Sequence, residues 1–148
     1  MKFENCKYDH LDLAEKFLEM AEKFLPYAAD QRCELDMYKC YVVKDHCGTV
    51  ACHGGYAAIV LLKAKSGTDY GQGRRALAEF LGFNSDESLI WWADNNPSIW
   101  GNYSGANMFC DIGAFKPFKR TSVELPENLQ TIVAHYLRVA KNLMEIKE

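Results

Sequence analysis

The central part of the chain reads TVACHGGYAAIVLLKA from Thr49 to Ala64. Hydrophobic or small residues occupy nearly every position, and a helix that is apolar on all sides is typical of a buried core element. The hydroxyl of Thr49 is a suitable N-cap acceptor for the first free amides of such a helix. Gly54 and Gly55 each cost up to about 1 kcal/mol relative to alanine inside a helix, so they indicate that another backbone packs closely against that turn. This stretch therefore predicts a buried central helix at about 49–64.

An amphipathic helix is predicted near each end of the chain. Asp9 is a suitable cap for the first of these helices, and Pro26 limits its extension. Pro126 suits the first position of the last helix. The apolar residues of the last helix recur at helical spacing and form one face: Leu129, Ile132, Val133, Tyr136, Leu137, Ala140, Leu143 and Met144. Both helices are expected to pack their apolar faces on the central helix.

Two shorter helices are predicted between the central helix and the last one. Asp69 can cap a helix that ends at Gly82, which supplies a left-handed stop. Asn84 followed by Glu87 is a capping-box pattern and predicts a second short helix. Residues 97–117 show little periodicity and many aromatic side chains. We expect them to form an irregular segment that fills the core or forms the wall of a pocket.

The segment 36–43 favours extended structure more than any other part of the chain. It mixes alternation with β-branched and aromatic residues, and at this length a short strand and a single helical turn both fit. Taken together, the patterns predict a mostly α, compact fold in one domain over residues 1–148. The buried helix at 49–64 is its centre, with at most a short β element near 36–43.

Composition and charge are those of an ordinary globular chain. Of the 148 residues, 49% are hydrophobic and 25% are charged, which argues against disorder. The formal net charge is -3 and the pI is about 5.8, so broad non-specific binding to nucleic acid is not expected. Met1–Asn5 lacks the apolar core of a signal peptide, and the apolar run Tyr56–Leu62 is too short for a membrane span. The sequence predicts a cytoplasmic protein whose six cysteines are free thiols.

The turn before the central helix carries a candidate nucleophile, Cys47. The dipole and the free amides at a helix start activate a thiol placed there. His46 and His53 are close in sequence and could act as a base, and Asp45 could orient an imidazole. Cysteine peptidases usually take their histidine from a distant segment, and the chain offers only His135 downstream, within the last helix. A cysteine-dependent hydrolase or transferase that uses Cys47, with His46 and His53, is therefore the alternative interpretation.

Cysteine and histidine donors are numerous enough for a tetrahedral metal site. These donors are Cys33, Cys40, His46, Cys47, Cys52 and His53. No pair of cysteines has the C-x2-C spacing that is typical of zinc modules. Cys47 and Cys52 are five positions apart, which a helix would rotate away from each other. We therefore expect neither a metal nor a cofactor.

A cluster of aromatic and amide side chains lies in the second half of the chain. Its members are Trp91, Trp92, Asn95, Asn96, Trp100, Asn102 and Tyr103. The rings could stack on a planar ligand while the amides bind its polar edges, or the same side chains could fill and cap a small helical core. The candidate ligand pocket lies between this segment and the turn before the central helix. Its residues are Cys47, Thr49, His53, Trp91, Trp92, Asn95, Asn96, Trp100 and Tyr103.

The stretch CGTVACHGGYA at residues 47–57 resembles a motif of small uncharacterised bacterial and phage proteins, roughly C-G-T-x-x-C-x-x-G-[WY]-A. Residues 35–37, LDM, are similar to the [FL]-[DN]-M that precedes the motif in that group. Residues 76–83 are similar to its alanine-rich helix, and residues 96–100 to a later tryptophan block. His53 departs from the pattern, which has an aliphatic residue at that position. The resemblance implies a compact helical domain and carries no established activity.

The leading functional interpretation is a non-enzymatic intracellular binding or interaction protein. Its partner would be a protein or a small-molecule ligand, with no membrane and no nucleic acid expected. If the gene is phage-borne, the partner would be a host protein or a small host metabolite. The apolar face of residues 129–144 could be buried internally or in a homodimer. The sequence leaves these two arrangements open.

Overall fold

The computed structural model describes residues 1–35, 41–44, 48–51, 53–63, 70–101, 103 and 126–147. Within these residues the chain forms α1 (His10–Ala28), β1 (Glu34–Leu35), β2 (Tyr41–Lys44), β3 (Gly48–Ala51), α2 (His53–Leu62), α3 (Tyr70–Phe80), α4 (Asp86–Asn95), α5 (Pro97–Trp100) and α6 (Leu129–Met144). The predicted mostly helical fold is confirmed. No helix in the described stretches combines the length and hydropathy needed to cross a bilayer.

Helix α1 begins and ends close to where the sequence predicts. The side chain of its N-cap, Asp9, accepts a hydrogen bond from the Asp12 amide at 2.8 Å, which satisfies one free amide of the first turn. Pro26 lies in the last turn, and the helix ends two residues later at Ala28. The buried face consists of His10, Leu13, Ala14, Phe17, Met20, Ala21, Phe24 and Ala28. The amphipathic helix predicted here is therefore confirmed.

The three strands form one small sheet in the order β1-β3-β2. β1 runs parallel to β3, with Glu34 opposite Val50. β2 runs antiparallel to β3, with Val42 opposite Val50. The β element predicted near 36–43 is thus present at 41–44, while residues 36–40 lie outside the described part of the chain.

The central helix starts later than the sequence predicts. Thr49 lies in β3, so it does not cap the helix, and α2 runs from His53 to Leu62 instead of 49–64. Thr49 and Val50 are β-branched, which favours a strand. Thr49 pairs with Val43 of β2, and Val50 pairs with β2 on one side and β1 on the other. From His53 to Ile59 the helix is buried at every position. The prediction of a buried central helix is therefore confirmed with a shorter range.

Helices α2 and α3 pack backbone against backbone where Gly54 meets Gly73. A Cβ atom on Gly73 would lie 1.9 Å from the Gly54 carbonyl oxygen and 2.6 Å from the Ala58 amide nitrogen. Because no side chain fits in this space, position 73 requires glycine. The close backbone approach that Gly54 predicts from the sequence is confirmed.

Helix α4 begins one residue later than the capping-box pattern predicts. Its N-cap is Ser85, whose hydroxyl accepts a hydrogen bond from the Ser88 amide at 3.1 Å. Asn84 does not cap the helix because it is held by the N-terminal loop. Its amide nitrogen donates to the Asn5 carbonyl at 2.9 Å, and its side chain donates to Asn5 Oδ1 at 3.3 Å. The N-terminal loop therefore lies against the start of α4.

Two further features hold α3 and α4 in place. Gly82 follows α3 with a φ of 84°, which is the left-handed stop that the sequence predicts. The Arg74 guanidinium on α3 contacts the Asp86 carboxylate in the first turn of α4 at 2.8 Å. The predicted cap of α3, Asp69, lies outside the described residues.

Helix α6 ends at Met144, as the periodicity predicts, but begins at Leu129, three residues after the start predicted at Pro126; it runs antiparallel to α1. Its N-cap is Asn128, whose side chain accepts from the Thr131 amide at 2.8 Å, so Pro126 precedes the helix and does not open it. The side-chain amide of Gln130 at the start of α6 donates a hydrogen bond to the Ala28 carbonyl at the end of α1. The buried side chains of both helices join one hydrophobic cluster, whose largest members are Trp92, Trp100, Tyr56, Tyr136, Phe17 and Phe24.

Candidate functional site

A histidine and a tyrosine meet in the interior between α2 and α6. His53 is the first residue of α2, and both its side chain and that of Tyr136 are 0% exposed. The Tyr136 hydroxyl and His53 Nε2 share a hydrogen bond. Phe24 of α1 packs against both rings, with centroid separations of 5.9 Å to His53 and 5.5 Å to Tyr136. Burial raises the pKa of Tyr136 well above its ordinary value, so the phenol stays protonated.

A second interior histidine, His135, precedes Tyr136 on α6. It is 1% exposed, and its ring packs edge-on against Trp100 at 4.4 Å and Tyr103 at 5.0 Å. Its Nε2 makes no hydrogen bond to any described residue. Burial, with smaller contributions from nearby His53 and Arg138, lowers the pKa of His135 to about 3. The imidazole is therefore neutral at physiological pH.

The side chains of His53, Tyr136 and His135 are part of the packed interior. Both imidazoles are enclosed by aromatic rings, and a substrate cannot approach a side chain that is buried on all sides. General acid–base catalysis requires a group within hydrogen-bond reach of the substrate. Cys47 and His46, the other members of the catalytic alternative, lie outside the described residues, so the assignment of Cys47, His46 and His53 stays a prediction.

The residues of the predicted ligand pocket fall into separate environments. Trp92 and Trp100 are 1% exposed and pack edge to face at 6.1 Å, and Tyr103 is also buried. Trp91 points the other way from α4 and is 53% exposed. His53 is buried and packs against Phe24 and Tyr136, whereas Trp91 is at the surface. The structure thus brings the buried rings together in the core and leaves Trp91 at the surface.

The amides of this cluster complete the end of α4. The side chain of Asn95 donates to the Trp91 carbonyl at 2.8 Å, and that of Asn96 donates to the Trp92 carbonyl at 2.8 Å. The Trp92 carbonyl is one of the last four of the helix, which have no intrahelical partner, so the Asn96 side chain satisfies it. Asn102 lies outside the described residues. Both described amides therefore act on the backbone of their own helix.

The cysteines are described only in part. Cys6 is a buried thiol whose Sγ donates to the Leu81 carbonyl at 3.5 Å, and burial raises its pKa. Among the described residues no group of three histidine, cysteine or acidic side chains could hold a metal ion. Cys40, Cys47 and Cys52 lie outside the described residues.

A surface groove surrounds the exposed Trp91, and we call it the Trp91 groove. It has a volume of about 450 Å³ and is lined by Glu4, Asn5, Ser85, Glu87, Ser88 and Trp91. No lysine, arginine or histidine is among these lining residues, and neither glutamate makes an ion pair with a described residue. No sequence pattern connects Glu4 with Trp91, because they are far apart in the chain. The backbone pairing of Cys6 with Phe83 brings them together.

A second groove, lined almost entirely by aliphatic side chains, lies between α1 and α6. It has a volume of about 270 Å³ and is lined by Leu25, Ala28, Ala29, Gln130, Val133, Ala134 and Leu137. Leu25 and Leu137 are about half exposed. Helical periodicity places both leucines at the edge of their apolar faces, so the sequence pattern alone treats them as core residues.

The hydrogen bond between His53 and Tyr136 can be tested by Tyr136→Phe. Loss of the hydroxyl removes one partner of a buried polar group, and we expect the free energy of unfolding to fall by about 1–3 kcal/mol. Urea unfolding at neutral pH measures this change. Tyr27→Phe is the matched control, since the half-buried Tyr27 hydroxyl bonds no described residue, and it should change stability by much less. Equal effects of the two substitutions would contradict a role for the bond.

No protein-family model, no curated protein and no solved structure matches the chain. The interpretation of the site therefore depends on its own geometry.

Proposed function

We propose that this chain is a non-enzymatic binding protein that holds a lysine- or arginine-bearing segment of a partner protein in the Trp91 groove. The proposal depends on one observation. The half-exposed indole of Trp91 lies in a groove that is lined by two carboxylates and by no lysine, arginine or histidine. A cation binds well over the face of tryptophan, and a nearby carboxylate adds an ion pair.

The position of Trp91 on α4 supports this proposal. The buried side of the helix consists of Leu89, Trp92 and Ala93. Trp92 is therefore the tryptophan of this helix that packs in the core. Trp91 faces away from that side and contributes a large apolar surface to solvent. Tryptophan is enriched among the residues that dominate binding energy at interfaces. An exposed indole at the centre of a groove is therefore a suitable anchor for a partner.

The charges of the groove define the partner's chemistry. Glu4 comes from the N-terminal loop and Glu87 from the first turn of α4, and both line the same groove as Trp91. A guanidinium or ammonium group over the indole would have a carboxylate from each of these two elements near it. Each contact in so open a site contributes only about 0.5–1 kcal/mol, so a single cation binds weakly and a segment with several cations binds better.

The test is a titration of the protein with hexa-arginine, followed by the NMR signals of the three tryptophan indoles. We expect the Trp91 indole signal to shift and saturate, while the signals of the buried Trp92 and Trp100 change little. Trp91→Ala removes the indole signal, so its titration is followed by the backbone amide signals of Asn5 and Glu87, which should show no saturable shift. Glu87→Gln should weaken binding several-fold because one ion pair is lost. Hexa-glutamate should cause no shift.

Glu145→Gln is the matched control, because Glu145 is exposed and lies just after α6, outside the groove. If it weakens binding as much as Glu87→Gln does, the peptide is bound by overall charge and the proposal is wrong. Shifts spread evenly over all three indoles would also contradict it.

A further inference from the structure

The outer faces of α1 and α6 carry apolar residues at a spacing of seven. On α1 these residues are Leu11, Leu18 and Leu25. On α6 they are Leu137 and Met144, and the position seven residues before Leu137 is Gln130. All except the half-buried Leu18 are exposed. Seven residues bring a helix back to nearly the same side, so each set forms a stripe along its helix. Leu25 and Leu137 line one groove, which places the two stripes next to each other. We call this surface the two-helix face.

The two-helix face runs along most of both helices. Gln130 at the start of α6 bonds Ala28 at the end of α1, and farther along α6 Tyr136 packs against Phe17. The helices are therefore antiparallel, and Met144 lies toward the Leu11 end of the face. An apolar surface of this length exceeds the scattered single leucines that are ordinary on a monomer.

Charged residues alternate with the apolar stripe, and they differ in sign between the helices. On α1, Glu15 and Glu22 occupy the positions between the leucines. On α6, Lys141 lies between Leu137 and Met144. All three charged residues are exposed, and none makes an ion pair with a described residue. One edge of the face is therefore acidic and the other is basic.

We propose that the two-helix face binds a second copy of this chain, so that two copies form a four-helix bundle. A surface with one acidic and one basic helix is complementary to itself when α1 of each copy packs on α6 of the other. This arrangement has a two-fold axis parallel to the helices. An axis perpendicular to them within the face would instead place α1 on α1, with glutamates opposite glutamates.

The heights of the charged residues fit this arrangement. Counted from the bond between Gln130 and Ala28 at a rise of 1.5 Å per residue, Glu15 and Lys141 lie within about 3 Å of the same height. Rotation about an axis parallel to the helices preserves height. Glu15 of one copy therefore lies level with Lys141 of the second copy. By the same count, Leu137 lies about 5 Å from the heights of Leu18 and Leu25, so the two stripes interdigitate.

The size of the face sets the expected strength of the dimer. α6 has 16 residues. A helix of that length spans about 24 Å, and two packed helices present a face about 18 Å wide. Such an interface lies at the small end of specific protein interfaces, so we expect a dissociation constant on the order of 10 µM.

Sedimentation velocity over concentrations on both sides of that value tests the proposal. The full chain should change from monomer to dimer with rising concentration, and the double variant Leu25→Glu with Leu137→Glu should stay monomeric. Leu62→Glu is the matched control, since Leu62 is similarly exposed on α2 and lies outside the face; it should dimerise as the unaltered chain does. Thermal unfolding followed by circular dichroism verifies that each variant is folded.

A charge exchange tests the orientation of the two copies. Lys141→Glu should weaken the dimer about ten-fold, because it places like charges level with each other. Adding Glu15→Lys and Glu22→Lys to the same chain should restore it, since the signs are then complementary again. A chain that is monomeric at every concentration, or a Lys141→Glu dimer that the added lysines do not restore, would overturn the proposal. The interface shares no residue with the Trp91 groove, so the outcome is independent of the function proposed above.

Discussion

Gly73→Ala is expected to destabilise the protein by about 3 kcal/mol or more. The new methyl group would lie 1.9 Å from the Gly54 carbonyl oxygen and 2.6 Å from the Ala58 amide nitrogen. Both atoms belong to the backbone of a buried helix, so they cannot move aside as a flexible side chain would. The helices α2 and α3 must therefore separate, and the buried contacts around them are lost.

Urea unfolding of the variant at neutral pH measures this loss, and a lower midpoint with an unchanged slope shows that stability alone has changed. Gln72→Ala is the control on the neighbouring position of α3, where the side chain is exposed. Alanine favours helices slightly more than glutamine does, so this control should have no effect or a small stabilising one. A Gly73→Ala protein as stable as the control would show that the two backbones are not in contact.

The second large effect is a loss of stability in acid that depends on His135. Burial lowers the pKa of His135 to about 3 in the folded protein, whereas an unfolded histidine titrates near 6.5. The folded state therefore favours the neutral ring. Its contribution to stability is fully present above about pH 6.5 and is lost as the pH falls toward about 3. Each pH unit within this interval costs about 1.4 kcal/mol, so roughly 2–3 kcal/mol is lost between about pH 6.5 and 4.5.

Free energies of unfolding for the unaltered chain and for His135→Phe, measured across this pH interval, isolate the contribution of His135. Phenylalanine keeps an aromatic ring against Trp100 and Tyr103 and cannot be protonated. The free energy of unfolding of the variant should therefore fall less steeply as the pH is lowered. His10→Gln changes a buried histidine at the other end of the core, near the N-terminus, and should keep the steep dependence. Parallel pH curves for His135→Phe and the unaltered chain would mean that His135 is not the titrating group.

The candidate site shows where sequence patterns succeed and where they fail. The tryptophans of α4 and α5 are adjacent or nearly so in the chain, and the pattern treats them as one cluster. Helical rotation separates Trp91 from Trp92, which places one indole in solvent and the other in the core. No sequence signal connects Glu4 with Trp91, because their proximity depends on the pairing of the N-terminal loop with the residues that follow α3.

Local sequence patterns are sufficient to predict the helical character of the protein and the apolar faces of its two amphipathic helices. The apolar face and the end of α6 and the Asp9 cap of α1 follow from periodicity and side-chain chemistry within a few turns, because those interactions are local. The start of α2, in contrast, depends on strand pairing. The hydroxyl of Thr49 is compatible with a helix cap, yet Thr49 pairs with Val43 of β2, a backbone partner that the local helix-cap pattern does not contain. The same reason applies to both surface grooves, since each is formed by segments that are far apart in the chain and whose contact is a property of the packed core.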